Sequence, residues 1–226
     1  MRPGAGSPAW GPPAPPLLRA ARLSKAFAGR TVIAEATVSL RPGTVTLFTA
    51  PSGSGKSTLL EILAGVLAPD SGTVERALPA SLMFQDDALV PWLDARGNLA
   101  YILPAGMPGP ARRESVARWL RRFELPEGAR PPSMSSGMKR RLSLARAFLA
   151  ERALTLLDEP FAFLDERWRA EAAGLIRAKA DSGGAVALAA HDADPCLRDA
   201  CGGILRILEL GPSPVTLRAD DEAPEP

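Results

Sequence analysis

A short apolar run, Val45 to Thr49, leads straight into Ala50-Pro51-Ser52-Gly53-Ser54-Gly55-Lys56-Ser57, and Thr58 then opens a stretch with Leu59, Leu60, Ile62, Leu63 and Val66 at helical spacing. Strand, glycine loop and helix in this order constrain the fold more than any other feature, because the unit needs neighbouring parallel strands to bury its strand on both faces. The residue types fit a phosphate cradle. Gly53 and Gly55 let successive backbone N–H groups face phosphate oxygens, and the helix adds its positive N-terminus. Lys56 is placed to reach the β and γ phosphates, Ser57 supplies a hydroxyl for Mg²⁺, and Thr58 is available for further phosphate contacts. Lysine is scarce in this chain: Lys25, Lys56, Lys139 and Lys179 stand among 27 basic residues, so the one in the loop is not a compositional accident. Ala50 stands where the usual pattern has a glycine. That exchange is harmless if its backbone angles are ordinary and straining if they are left-handed.

The rest of the chain reads as an α/β protein. Leu18 to Phe27 and Thr31 to Leu40 are β-like runs joined by Ala28-Gly29-Arg30, an antiparallel hairpin by pattern. Thr73 to Arg76 and Ser81 to Phe84 are short strands, while Ala153 to Leu157, Ala185 to Ala190 and Ile204 to Leu208 are apolar runs suited to a buried sheet. Arg112 to Phe123, Ser136 to Ala150 and Arg167 to Ala180 have helical periodicity, with Ser135 or Ser136 as the cap of the second. Residues 1–16, with six prolines, and 219–226, acidic and proline-containing, are expected to be disordered tails around a folded unit of residues 17–218. A helical subdomain is expected at about residues 87–150. No run approaches the ~18 uncharged apolar residues of a membrane-spanning helix. A net charge of +2 gives no electrostatic case for a nucleic-acid partner. Cys196 and Cys201 lack metal-site or CxxC spacing, which predicts buried free thiols in a reducing compartment.

A second constellation lies about a hundred residues beyond the loop. The apolar strand ends in Asp158-Glu159, which puts two carboxylates at the edge of the sheet where ligands gather. Asp158 is suited to hold Mg²⁺, and Glu159 to polarise an attacking water, since phosphoryl transfer depends on positioning and electrostatic stabilisation. His191, the single histidine, follows another apolar strand.

The order of these motifs across residues 17–218 resembles the ABC ATPase family, whose fold is a phosphate-loop α/β core with an antiparallel β subdomain and a helical subdomain. The resemblance implies that Phe27 stacks on adenine, that Gln85 in Leu82-Met83-Phe84-Gln85 touches Mg²⁺ and senses a permease, and that His191 contacts the γ phosphate. Met134-Ser135-Ser136-Gly137-Met138-Lys139-Arg140-Arg141 is similar to the family signature, with Ser136 in place of one of its two glycines, and Asp165 fits the loop that crosses between subunits. In proteins of this kind the signature of one subunit covers ATP bound to the loop of the other. Ser135, Ser136 and Gly137 are then ligands of a partner's nucleotide, and ATP joins a dimer, here expected to be a homodimer. Ser136 adds a side chain where a close approach is needed, so closure or turnover is open to impairment.

Phe84 to Leu93 with Asn98-Leu99, together with Met138, resembles the importer branch serving nitrate, sulfonates and taurine. That likeness implies a separate transmembrane permease received on a lip of Leu89, Pro91 and Trp92, a substrate-binding protein outside the membrane, and a location on the cytoplasmic face. An ATP-dependent clamp with impaired turnover is the alternative, suggested by Ala50 and Ser136. A soluble ABC protein working on ribosomes or DNA would carry a second cassette, a coiled coil or a basic extension. An unrelated phosphate-loop GTPase or kinase would leave the signature helix and His191 without a role.

Overall fold

The computed structural model describes residues 14–211 and 214–219; the tail positions 1–13 and 220–226 fall outside it. Nine strands and six helices follow in chain order: β1 Leu18–Phe27, β2 Arg30–Leu40, β3 Val45–Thr49, α1 Lys56–Ala64, β4 Ser71–Arg76, β5 Ala80–Met83, α2 Ala95–Tyr101, α3 Gly109–Arg122, α4 Ser136–Leu149, β6 Leu154–Asp158, α5 Glu166–Asp181, β7 Ala185–Ala190, α6 Pro195–Cys201, β8 Leu205–Glu209 and β9 Val215–Ala219.

Five strands form a parallel sheet in the order β5-β6-β7-β3-β8. Its central strands β3, β6 and β7 are buried almost end to end, the mark of a sheet covered on both faces. Alternation along each strand feeds two cores. Phe48, Leu154, Leu156, Ala185 and Ala187 point to one side, where α1 fills the gap to β1 and β2. Leu47, Leu157, Val186 and Leu188 point to the other, against Leu144, Phe148, Ala172, Ile176 and Leu197 of α4, α5 and α6.

The second sheet has the order β4-β1-β2-β9. The expected β1–β2 hairpin is present and antiparallel, and β4 extends it. β9 joins β2 in parallel, a strand that the sequence reading did not include and that carries the folded unit one residue further, to Ala219. Two other boundaries differ. α1 stops at Ala64 because Gly65 adopts φ 78° and its N–H caps the helix on Glu61 and Ile62, which leaves Val66 outside and exposed. Within the breaker-rich stretch 91–109, α2 forms because Asp94 caps Gly97 at 2.7 Å, and the fully buried Asn98 side chain bonds Val90, Leu93 and Asp94. Of the two thiols, Cys201 is buried and burial pushes its pKa up to about 11, whereas Cys196 is only half-buried.

Candidate active site

The loop between β3 and α1 wraps around its own lysine. Lys56 is 6% exposed, and its Nζ donates to the carbonyls of Ala50 (2.7 Å) and Pro51 (3.1 Å). Gly53 (φ 72°) and Gly55 (φ 108°) take left-handed angles, and a Cβ on Gly55 would stand 2.7 Å from Val32. Ala50 is not among the residues with positive φ, so the missing first glycine costs no backbone strain here. α1 starts without a side-chain cap or an acidic residue in its first turn, leaving its N-terminal donors for an anion. Ser54 is buried and its hydroxyl has no hydrogen-bond partner among the described residues.

Sheet topology supplies the other groups. β7 lies between β3 and β6, so the carboxyl ends of all three adjoin. Asp158 ends β6 and is buried. Burial raises its pKa, and hydrogen bonding from the Ser57 side chain, with the charges of Lys56 and Arg140, partly offsets this. Glu159 has φ 49°, uncommon for a residue with a side chain, and its N–H is held on Ala189 of β7 at 2.8 Å. Burial also raises the Glu159 pKa, while His191 and Lys56 pull it down. His191, just past β7, has Nε2 3.1 Å from Ser52 Oγ and 3.7 Å from Glu159 Oε1. Thus Ser52, Lys56, Ser57, Asp158, Glu159 and His191 form one continuous group.

The donor set fits magnesium carried in with a nucleotide. Ser57 and Asp158 offer hard oxygens, and among the described residues there is no cluster of three or more His, Cys, Asp or Glu side chains that could bind a metal on its own. Mg²⁺ commonly takes one or two protein oxygens and completes its shell with phosphates and water.

Gln85 follows β5 with an exposed side chain, and its backbone is gripped by α4. Arg140, 1% exposed, donates from Nη2 to Gln85 O (2.8 Å) and from Nη1 to Phe84 O (3.3 Å), and it lies 3.2 Å from Asp87 Oδ1. Three residues on, Ser143 Oγ donates to Asp87 O (3.1 Å), and three further, Arg146 donates to Ala88 O (2.6 Å). One face of α4 therefore holds four backbone carbonyls of the Gln85 segment, those of Phe84, Gln85, Asp87 and Ala88. Sequence reasoning names Arg140 only as part of the signature segment and assigns nothing to Ser143 or Arg146, although polar side chains at spacing three among apolar ones in a helix are a visible signal.

Known proteins bear on this arrangement. The sequence profile described as "ABC transporter" matches residues 33–162, more than half of the chain. The chain belongs to the ABC transporter family. Among its ABC relatives are the Taurine import ATP-binding protein TauB of Chromobacterium violaceum, 39% identical over 194 residues that make up 80% of this chain and 74% of that protein. The Aliphatic sulfonates import ATP-binding protein SsuB of Delftia acidovorans is 38% identical, covering 77% and 73%. The solved ABC cassette MJ0796, described in a dimeric post-hydrolysis state bound to ADP and Pi, superposes with a TM-score of 0.76 at 22% identity, over 85% of this chain and 93% of that one; this likeness speaks for the fold.

The remaining ABC-type positions lie away from the loop cluster. Phe27, at the tip of β1, is 45% exposed. Ser135 caps α4 by accepting from Met138 N at 3.2 Å, and Ser136 is exposed. Gly137 is required by its surroundings, since a Cβ there would stand 2.9 Å from the Phe163 carbonyl. Asp165 is exposed and caps α5 through Trp168 N at 3.0 Å. The hydrogen bonds of Ser135 and Asp165 thus stay within their own helices. Of the expected lip, Leu89 packs on the core, whereas Pro91 is exposed and Trp92 is 74% exposed.

Proposed function

We propose that this chain is the ATP-binding and ATP-hydrolysing subunit of an ABC importer, a homodimer around two Mg·ATP that drives a separate permease from the cytoplasmic face of the membrane. The observation that carries this reading is the meeting of Lys56, Asp158, Glu159 and His191 at adjoining strand ends, beside a helix N-terminus that no side chain among the described residues caps. The loop N–H groups, α1 and Lys56 hold and orient the phosphates. Lys56 exchanges its two carbonyl partners for phosphate oxygens, a stronger charge-assisted contact. Glu159, next to His191, accepts hydrogen bonding from the attacking water at Oε and draws a proton from it as the bond to the γ phosphorus forms and the bond from that phosphorus to the bridging oxygen breaks, releasing ADP and phosphate. His191 orients Glu159 and faces the departing phosphate. Ser57 and Asp158 would hold Mg²⁺, which would supply neutralisation of charge on the phosphate oxygens.

Exposed Ser135 and Ser136, with half-buried Gly137, at the start of α4 are left to a second copy, whose phosphates they cover. The α4 grip on the Gln85 segment gives a route by which a permease seated near Pro91 and Trp92 moves the signature. Taurine or another small sulfonate is the cargo class supported by the relatives' names, with a substrate-binding protein delivering it to the permease. Among the described residues no helix is long and apolar enough to cross a membrane. The clamp with impaired turnover loses one of its two supports, because Ala50 sits without strain.

Steady-state Mg·ATP hydrolysis across protein concentration, beside ATP-dependent dimerisation of Glu159→Gln, tests the reading. A rate per subunit that rises with concentration and a stable ATP-bound dimer of the variant are expected. Absence of ATP binding overturns it. Stimulation of hydrolysis in membranes by a taurine-loaded binding protein tests the cargo.

A further inference from the structure

The tip of β1 carries Phe27, which pairs with Arg30 in the hairpin but lies beyond the reach of the β4 ladder. The β1–β4 ladder ends at Ser24↔Ser71, and the β1–β2 register slips at Leu23, Lys25 and Ala26. Beyond the last rung a single carboxylate takes over. Asp70 Oδ2 accepts from Ala26 N at 2.7 Å, and Oδ1 accepts from Lys25 Nζ at 2.7 Å. The Asp70 N–H donates to Ser24 O at 2.9 Å, and the hydroxyls of Ser24 and Ser71 lie 2.7 Å apart. The Lys25 side chain, and then the Ala26 N–H, hold the Asp70 carboxyl below its ordinary pKa. Lys25 Nζ in turn stands 5.6 Å from the centre of the Phe27 ring.

Asp70 also has a place in the chain that matters. It follows the end of α1, whose first residue is Lys56 of the phosphate loop. The far end of the phosphate-binding helix is thereby tied to the aromatic tip through one side chain. We propose that Asp70 is a positioning residue for the nucleotide base: it fixes Phe27 relative to the phosphate loop and so sets how much the base adds to nucleotide affinity, without touching the nucleotide. This rests on the reading of the site as one for ATP with Phe27 as its aromatic platform. Without the carboxylate, the Ala26 N–H turns to water and Lys25 is released, so the stretch of β1 leading to the exposed turn at Ala28 (φ 47°) and Gly29 (φ 80°) is held on the α1 side only as far as Ser24, by the Asp70 N–H and the Ser71 hydroxyl, among the described hydrogen bonds.

The test compares two ligands that share phosphates and differ in the base. Dissociation constants of Mg·ATP and Mg·tripolyphosphate are measured by calorimetry on the full chain for wild type, Asp70→Ala, Asp70→Asn, Phe27→Ala and the Asp70→Ala/Phe27→Ala double variant. Asp70→Ala is expected to weaken Mg·ATP about five- to tenfold while tripolyphosphate changes less than about twofold, a difference that places the loss at the base. Asp70→Asn, which keeps an acceptor for Ala26 N but loses the ion pair, should fall between. On top of Phe27→Ala, the Asp70 change should add almost nothing. A parallel loss for both ligands, or effects of Asp70 and Phe27 that simply add, overturns the proposal and leaves Asp70 as a staple of the sheet. Wild type that binds tripolyphosphate as well as ATP removes the platform itself, and wild type that binds neither removes the ATP reading. Should Asp70→Ala not fold, the Asn variant carries the same comparison.

Discussion

α1 and α4 offer the same physical device, a helix N-terminus, in opposite conditions. The start of α1 has no side-chain cap, sits on a buried lysine and adjoins two carboxylates and a histidine. The start of α4 is finished as a helix: Ser135 already satisfies Met138 N, and Ser135 and Ser136 face solvent. The first is a complete anion cradle within one chain. In the proposed reading the second acquires a ligand only when another copy brings one to it, and the difference in how each helix end is satisfied supports that division of labour.

Lys56→Ala strikes the complete end and should have the largest effect. The buried ammonium is the cradle's one mobile charge, and its loss should weaken Mg·ATP binding by the monomer on the order of a hundredfold, read by calorimetry. Gly137→Ala strikes the open end, where the new methyl is driven against the Phe163 carbonyl. In the Glu159→Gln background it should reduce ATP-dependent dimerisation about tenfold and leave monomer affinity near wild type, as judged by sedimentation and calorimetry together. If Gly137→Ala weakened the monomer as much as Lys56→Ala does, the contrast between the two ends would be wrong.

The complete end was also the legible one. Val45 to Lys56 and Ala153 to Glu159 declare themselves because phosphate and magnesium demand particular residue types at fixed spacing on a buried strand, and such strands have little freedom to read otherwise. The open end was legible only as a resemblance, since a capped, exposed helix start looks the same whether or not a partner covers it. β9 escaped notice because Val215 to Ala219 is short and lies among prolines and charges, and its pairing with β2 is set by sequence-distant packing. α2 was hidden by the breakers around it, although its Asp94 cap is a local signal three residues from Gly97; what the sequence does not show is that Asn98 is buried and turns its side chain back onto Val90, Leu93 and Asp94. Asp70 gave no signal, since an aspartate in a loop is ordinary until its two partners are seen.

Between the two ends lies the grip of α4 on the Gln85 segment. Arg140→Met should cost about 3 kcal/mol in urea denaturation, because it strands Asp87, a mostly buried carboxylate whose pKa burial already raises, without its cation. Adding Asp87→Asn removes that stranded charge and should recover at least half of the loss, yet hydrolysis should stay below wild type because Gln85 O still lacks its Arg140 donor. Full recovery of both would make the pair purely structural.

A smaller effect should appear with pH. Glu159 acts when ionised, and burial raises its pKa above the ordinary glutamate value of 4.5. The acid limb of kcat/KM for hydrolysis should therefore lie above that value, with rate lost as pH falls through it. The same shift makes a stability claim of definite sign. A carboxyl whose pKa is raised by folding favours the native state at low pH and costs stability as pH rises from the unfolded to the folded value. Glu159→Gln should accordingly raise Tm at neutral pH by about 2 °C, with the gain disappearing below about pH 4. A Tm that falls instead would mean that the contact with His191 outweighs burial.

The smallest expected change is Ser136→Gly. Ser136 is the first residue of α4, exposed and following its cap, so its side chain strains nothing within the monomer. Glycine there loses a little helix stability, below about 1 kcal/mol at a terminal position, and removes bulk only from the face turned to a partner's phosphates. Hydrolysis per subunit at saturating protein should rise by about twofold, with monomer affinity for ATP the same as in wild type. A rise of a hundredfold would mean that Ser136 keeps the dimer from closing and that the chain is a clamp awaiting release. A fall would mean that the hydroxyl itself contacts the partner's nucleotide and that the exchange of glycine for serine is a working part of the site.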